Sequence, residues 1–230
     1  RTGRTVARTA RAAAITGLGD DYRTIGKLVD ERAMVNAIVA WLATGGSTNH
    51  TIHFVAVARA AGILVTWEDF DALAEVVPLL ARIYPNGDAD VNHFHAAGGT
   101  AFLFRELLEA GLLFDLETVA IGGMRAYTRE PRLIDAALVQ VDAVASSLDE
   151  AVARPASNPF EATGGLRLVR GSLGNALAKV SAVKPQHRRV QAPAVFVDDP
   201  AQLRARHKAG TLPRDFIAVV RYQGPKANGM

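Results

Sequence analysis

The sequence contains no cysteine in its 230 residues. Disulfides, a thiolate nucleophile and thiolate metal ligands are therefore excluded from within this chain. No apolar run reaches the length that spans a bilayer. The start lacks a signal-peptide pattern: Arg1, Arg4, Arg8 and Arg11 punctuate a segment of small residues. Charge of one sign is not in large excess. A net charge of +3 gives no reason to expect nucleic acid, although the first residues are arginine-rich. No Gly-x-Ser-x-Gly elbow occurs, so a hydrolase triad is unsupported. No Gly-x-Gly-x-x-Gly and no Walker lysine occur, so the nucleotide loops are unsupported too. What is there is 49% hydrophobic and 21% charged, the balance of a soluble globular protein with a real core. The chain opens on Arg1-Thr2-Gly3 without an initiator methionine and stops at Asn228-Gly229-Met230 in a glycine-containing loop. It reads as an internal piece of a longer protein.

The pattern is organised around Thr44-Gly45-Gly46-Ser47-Thr48-Asn49-His50. An apolar helical pattern precedes it over Glu31 to Ala43, with Val35, Ile38, Val39 and Leu42 at helical spacing. A second follows over Thr51 to Ala61. The paired glycines break the first helix and permit a tight turn. Ser47, Thr48 and Asn49 are each good caps for the second. The first amides of a helix have no internal partner and carry the positive end of its dipole, which suits a carboxylate or phosphate. An ordinary capped corner is the plainer alternative. The second helix is apolar nearly all round, which predicts burial.

Gly62 reads as that helix's stop, and Ile63-Leu64-Val65 as a buried strand. Thr66 with Asp69 predicts a capping box for the next helix. Asn86-Gly87-Asp88 is a turn signal. His93 and His95 lie on a loop or strand before a second Gly-Gly-Thr, Gly98-Gly99-Thr100, and a helix over Ala101 to Ala110. The two glycine-preceded helix starts could face the two ends of one dianionic ligand. Thr118 to Ile121 reads as a strand and residues 131–145 as a helix. Residues 4–16 read as a helix with a basic face.

Beyond Asp149 the character changes. Pro155, Asn158, Pro159 and Gly164-Gly165 form a linker-like stretch, the candidate domain boundary. Past it strands dominate: Leu166 to Arg170, Ala176 to Val183, Ala194 to Val197 and Phe216 to Tyr222. Asp199-Pro200-Ala201-Gln202 predicts a helix start. His50, His53, His93 and His95 have no carboxylate at useful spacing, so they read as hydrogen-bonding or substrate groups rather than metal ligands. Lys226, in a loop bounded by proline and glycine, is either an anion-binding residue or a solvated turn lysine.

Taken together, five stretches carry a resemblance over essentially the whole chain: Ala43 to Thr51, Leu80 to Gly87, Asn92 to Gly99, Arg154 to Leu166, and Val220 to Met230. They resemble the family of dihydroxy-acid and phosphogluconate dehydratases. Gly45-Gly46-Ser47-Thr48-Asn49 resembles the superfamily at large. His50, Ile83-Tyr84-Pro85-Asn86-Gly87 and Ala227-Asn228-Gly229 resemble the phosphogluconate branch. The resemblance implies a cytoplasmic hydro-lyase that dehydrates 6-phospho-D-gluconate to 2-dehydro-3-deoxy-6-phospho-D-gluconate. It implies an iron–sulfur cluster of the 4Fe–4S type, whose iron acts on the leaving hydroxyl while a base takes the α-proton. The ligand cysteines, the serine base and a magnesium site where the family has one fall outside this chain.

The fold implied is α/β: residues 1–154 as the later part of a large helix-rich α/β domain, and 155–230 as the start of a smaller β-rich, barrel-like swivelling domain. The partners implied are a sugar-acid phosphate and a second copy in a homodimer, with no nucleic acid and no membrane. Ser47, Thr48, Asn49, His50, His95, Gly98, Gly99 and Lys226 are the expected substrate-contacting residues; the catalytic residues are expected outside the chain. Two alternatives stay open. One is a dihydroxy-acid or sugar-acid dehydratase of the same superfamily; the other is a catalytically inert structural fragment.

Overall fold

In the computed structural model the described residues are 23–224 and 227. The helix expected over 4–16 and the candidate Lys226 lie outside them. Two compact units divide the chain, one ending at Ala182 and the other beginning at Val183.

The first unit holds helices α1 (Ile25–Leu28), α2 (Glu31–Ala43), α3 (Asn49–Ala60), α4 (Trp67–Val76), α5 (Val91–Ala97) and α6 (Gly99–Glu109). Two antiparallel hairpins follow: β1 (Arg129–Ile134) with β2 (Ala137–Asp142), and β3 (Leu166–Gly171) with β4 (Gly174–Lys179). Helix α2 begins where expected because Asp30 accepts from the Ala33 amide at 2.8 Å. That bond, helped by the Arg32 guanidinium, holds the Asp30 carboxyl below the usual carboxylate range. The inner face of α2 buries Met34, Ile38, Val39, Trp41 and Leu42. Phe70 and Ala74 of α4 and Phe102, Leu103 and Leu107 of α6 close the core around it. The Trp41 ring meets Phe70 and Phe54 edge-on at 6.0 and 5.9 Å. Buried Asn36 is satisfied twice by one residue: its Nδ2 donates to Phe114 O at 2.8 Å and its Oδ1 accepts from Phe114 N at 2.9 Å. These bonds tie α2 to the chain beyond α6.

Helix α4 opens with the expected box, Asp69 Oδ2 accepting from Thr66 N at 2.7 Å. The strip after α4 is a buried spine. Leu79, Leu80 and Ala81 are at most 1% exposed, and isolated bridges pair Leu79 with Glu161 and Ala81 with Ala153. Ala43 O, at the end of α2, accepts from both Leu80 N and Ala81 N, at 2.7 and 3.2 Å.

The second unit is a strand–helix–strand. Parallel strands β5 (Ala194–Val197) and β6 (Ile217–Val220) are joined through α7 (Pro200–Lys208). Asp199 starts α7 by accepting from Gln202 N at 2.9 Å. Helices and small sheets thus share the chain, as an α/β protein requires.

Several local expectations are corrected. Ile63-Leu64-Val65 is irregular, with Leu64 85% exposed, because no described residue pairs with it as a strand. Thr118 to Ile121 forms bends and a turn rather than a strand. The helix expected over 131–145 is the β1–β2 hairpin. Its turn places Asp135 and Ala136 at φ of +46° and +63°, the positive values that a two-residue hairpin turn demands. His93 and His95 lie on helix α5, started by Asp90, which accepts from Asn92 N and His93 N. Helix α3 is buried on one face only, through Thr51 and Ala58, while Val57 is 51% exposed.

Candidate functional site

The loop from α2 to α3 is held from inside by its carbonyls. Gly45 N donates to Leu42 O at 3.0 Å and Gly46 N to Trp41 O at 2.9 Å, which ends α2. Gly45 stands at φ +60°, and a side chain there would collide with Asn86 Nδ2. One on Gly46 would strike the Trp41 indole. Asn86 Nδ2 donates to Gly45 O at 2.8 Å. Lys179 Nζ, reaching in from β4, donates to Gly45 O at 2.6 Å and to Gly46 O at 2.9 Å. Trp41 Nε1 donates to Ser47 O at 3.0 Å.

In a trans peptide the C=O of one residue and the N–H of the next point in opposite directions. Drawing the Gly46 and Ser47 carbonyls inward therefore turns the Ser47 and Thr48 amides outward. Among the described residues neither amide has a hydrogen-bond partner. Ser47, Thr48, Asn49 and His50 are all exposed. Ser47 Oγ accepts from Asn49 N at 3.3 Å, and Thr48 O accepts from Thr51 Oγ1 at 2.7 Å, so the first turn of α3 is closed behind the two open amides. The His50 ring lies 6.2 Å from that of Phe54. Two open N–H groups at a helix start, beside two hydroxyls, are an anion-receiving arrangement.

Burial pushes the Lys179 ammonium below the ordinary lysine range. Two carbonyl oxygens oppose that shift by favouring the charged form. Asn86 is itself fixed, its Oδ1 accepting from Ser181 Oγ at 3.1 Å.

The second glycine loop is built differently. Gly98 and Gly99 are buried. Gly98 stands at φ +135°, and a Cβ on it would lie 2.9 Å from both Phe102 Cβ and Val144 Cγ2. Its missing side chain admits the protein's own packing. Beside Gly99 stand His95 Nδ1 and Glu130 Oε1, 3.3 and 3.4 Å from where a Cβ would be. Glu130, whose side chain is only 18% exposed, thus brings a carboxylate to the start of α6. That charge stands beside the start of α6 and repels an external anion there, so the first loop is the better receiver. His95 is exposed beside Gly99. The contacts around the two loops share no residue. Among the expected substrate contacts, Ser47, Thr48, Asn49 and His50 come together, His95, Gly98 and Gly99 form a separate group, and Lys226 lies outside the described residues.

His93 is engaged with Asp90, Nδ1 to Oδ1 at 2.8 Å. The His93 amide and ring hold the Asp90 carboxyl below the usual range. Among the described residues no three His, Asp or Glu side chains are placed to hold a metal ion. A groove of about 440 Å³ lined by Ile25, Leu28, Val29, Phe104, Met124 and Tyr127, among others, is apolar and suits packing rather than an acidic sugar.

Sequence reasoning did not find Lys179, or the roles of Trp41, Asn86 and Ser181. The one signal for Lys179 was the hairpin itself. Pairing Leu166 with Lys179 sets the lysine opposite a residue that is 2% exposed.

Comparison with known proteins gives two consecutive family matches. Residues 2–127 match "Dihydroxy-acid/6-phosphogluconate dehydratase N-terminal", and residues 151–230 match the corresponding C-terminal family. A protein named phosphogluconate dehydratase from Pseudomonas aeruginosa is 56% identical over 96% of this chain and 36% of its own length. One of the same name from Rhizobium meliloti is 52% identical over 96% of this chain and 37% of its own. A dihydroxy-acid dehydratase from Sulfurisphaera tokodaii is 34% identical over 84% of this chain and 33% of its own. The chain thus spans about a third of the length of the curated relatives it matches. It belongs to the dihydroxy-acid/6-phosphogluconate dehydratase family.

Proposed function

We propose, since the chain belongs to this family, that it is part of a hydro-lyase that converts 6-phospho-D-gluconate to 2-dehydro-3-deoxy-6-phospho-D-gluconate. The observation that carries the reading is the gap in likeness: 56% to a phosphogluconate dehydratase against 34% to a dihydroxy-acid dehydratase. Removing water across two adjacent carbons takes a proton from the carbon next to the carboxylate. Negative charge then grows on the carboxylate oxygens. N–H donors fixed before the reaction and aimed at that charge lower the barrier without reorganising. The Ser47 and Thr48 amides, backed by the positive end of α3, supply such donors. The Ser47 and Thr48 hydroxyls, with Asn49 and His50 beside them, orient the polyol.

A thiolate-held iron–sulfur cluster does not fit this chain's donors, because the chain has no cysteine. We place its ligands, and those of a magnesium site, in parts of the protein outside this chain. The match over residues 151–230 supports a second domain starting near residue 155. On that division the β3–β4 hairpin returns Lys179 from the second domain to the loop of the first. The family resemblance extends the proposal to a cytoplasmic homodimer, which sedimentation of the full-length protein tests.

The deciding assay measures 2-oxo acid formation by the full-length protein from 6-phosphogluconate and from a 2,3-dihydroxy acid. We expect kcat/KM to favour the phosphorylated acid by about 100-fold or more, the worth of one or two charged contacts. Equal or reversed preference would contradict the reading.

A further inference from the structure

We propose that Arg82 and Arg154, gathered on the ring of Phe160, form the subsite that takes the phosphate of the substrate. The proposal rests on the sugar-acid phosphate reading above. The guanidinium carbons of Arg82 and Arg154 lie 4.9 and 4.4 Å from the Phe160 ring centroid. Backbone bonds fix all three residues on one small ladder. Arg82 N donates to Val152 O at 2.8 Å, Arg154 N to Leu80 O at 2.8 Å, and Phe160 N to Leu79 O at 2.9 Å.

Two like charges on one ring repel each other, and here no carboxylate separates them. Among the described residues neither arginine forms an ion pair, although Glu150 and Glu161 are near in sequence. Arg154 Nε donates to Glu150 O at 2.9 Å, and the Arg82 guanidinium donates to no residue described. Nearly all the N–H donors of two planar forks are therefore open. Such forks match phosphate oxygens in pairs, and a dianion between them cancels the repulsion. Arg82 is exposed and Arg154 and Phe160 are half-buried, so a solvent-borne ligand can reach them.

The ladder also borders the glycine loop. Ala43 O accepts from Leu80 N and Ala81 N, and Asn86, on the turn after Arg82, donates to Gly45 O. One strip of chain thus carries Arg82 and touches the glycine loop on either side of it, through Leu80 and Ala81 at Ala43 and through Asn86 at Gly45. A ligand with a carboxylate at one end and a phosphate at the other finds a receiver for each.

The test uses full-length protein, wild type and the variants Arg82→Gln, Arg154→Gln and both together. Inorganic phosphate is titrated by calorimetry, and the KM and kcat for 6-phosphogluconate are measured. We expect each single change to raise KM about tenfold or more with kcat far less affected, and the double change to weaken phosphate binding at least about tenfold. Phosphate affinity and KM both unchanged in the double variant would overturn the proposal. Should one single variant fail to fold by circular dichroism, the other carries the same comparison. Should the wild type not dehydrate 6-phosphogluconate, the activity reading fails, and the phosphate titration still decides the role of the arginines.

Discussion

Lys179→Met in the full-length protein removes the clamp on the loop while keeping most of the apolar stem. Two hydrogen bonds from an ammonium, to Gly45 O and Gly46 O, are lost. A charged hydrogen bond contributes about 1.5–3 kcal/mol, so two give an upper figure of about 6 kcal/mol. That figure is too large here. Lys179 is only part-buried, and its lowered pKa means that burial works against the charge the bonds stabilise. We take a net of about 2 kcal/mol, which is about a 30-fold larger opening constant for the loop. The assay is amide exchange at Gly45 and Gly46, whose N–H groups are held by Leu42 O and Trp41 O. Both should exchange about 30-fold faster in the variant, while Leu107 in the core of α6 should not change. The sign of the pH effect follows from the same shift. Folded Lys179 loses its proton more readily than unfolded Lys179, so between its lowered pKa and the ordinary value the unfolded chain holds more protons. The wild type should gain stability relative to Lys179→Met as pH rises through that window. Unaltered exchange at Gly45 and Gly46 would refute the clamp.

Gly45→Ala must adopt φ +60° and push aside Asn86, so it should cost about 1–3 kcal/mol and lower the melting temperature; an unchanged melt would show that the loop relaxes freely. Asn36→Ala leaves the Phe114 N–H and C=O without their partner and should destabilise by about 2 kcal/mol in urea titration. Asp30→Ala removes the cap of α2 and should cost about 1 kcal/mol at neutral pH. Because the folded Asp30 carboxyl titrates below the usual range, that difference should hold above the ordinary carboxylate pKa and vanish as pH falls through the lowered one. A difference that persists in strong acid would mean that the carboxylate is not the cap.

Helix α2 was legible from its periodicity, Val35, Ile38, Val39 and Leu42, and α7 from its start alone, Asp199 before Pro200 and Gln202. The β1–β2 hairpin was not. Ile134, Ala137, Leu138 and Val141 fall at helical spacing, and the turn that contradicts a helix is made by Asp135 and Ala136 without a glycine to announce it. The apolar composition of α3 predicted full burial, yet among the described residues only one side of it is covered. In the candidate site, the paired glycines and hydroxyls were readable as local chemistry. The reason their amides face outward was not. For the Ser47 amide it depends on Lys179, which lies 133 residues from Gly46 and meets it only through the fold. The crowding of the second loop by Glu130 is likewise a tertiary fact that no local pattern encodes.

The central claim is that backbone donors at Ser47 and Thr48 receive the acidic end of the substrate, and one substitution addresses it directly. Thr48 already stands at φ −60°, a value proline adopts, and its amide bonds to no described residue. Thr48→Pro in the full-length protein therefore deletes one donor at an angle the backbone already holds, and Thr48→Ala keeps the donor as a control. Steady-state dehydration of 6-phosphogluconate should fall about 100-fold or more in kcat/KM for the proline variant and far less for alanine. Proline and alanine variants with equal, near-wild-type kinetics would contradict the account.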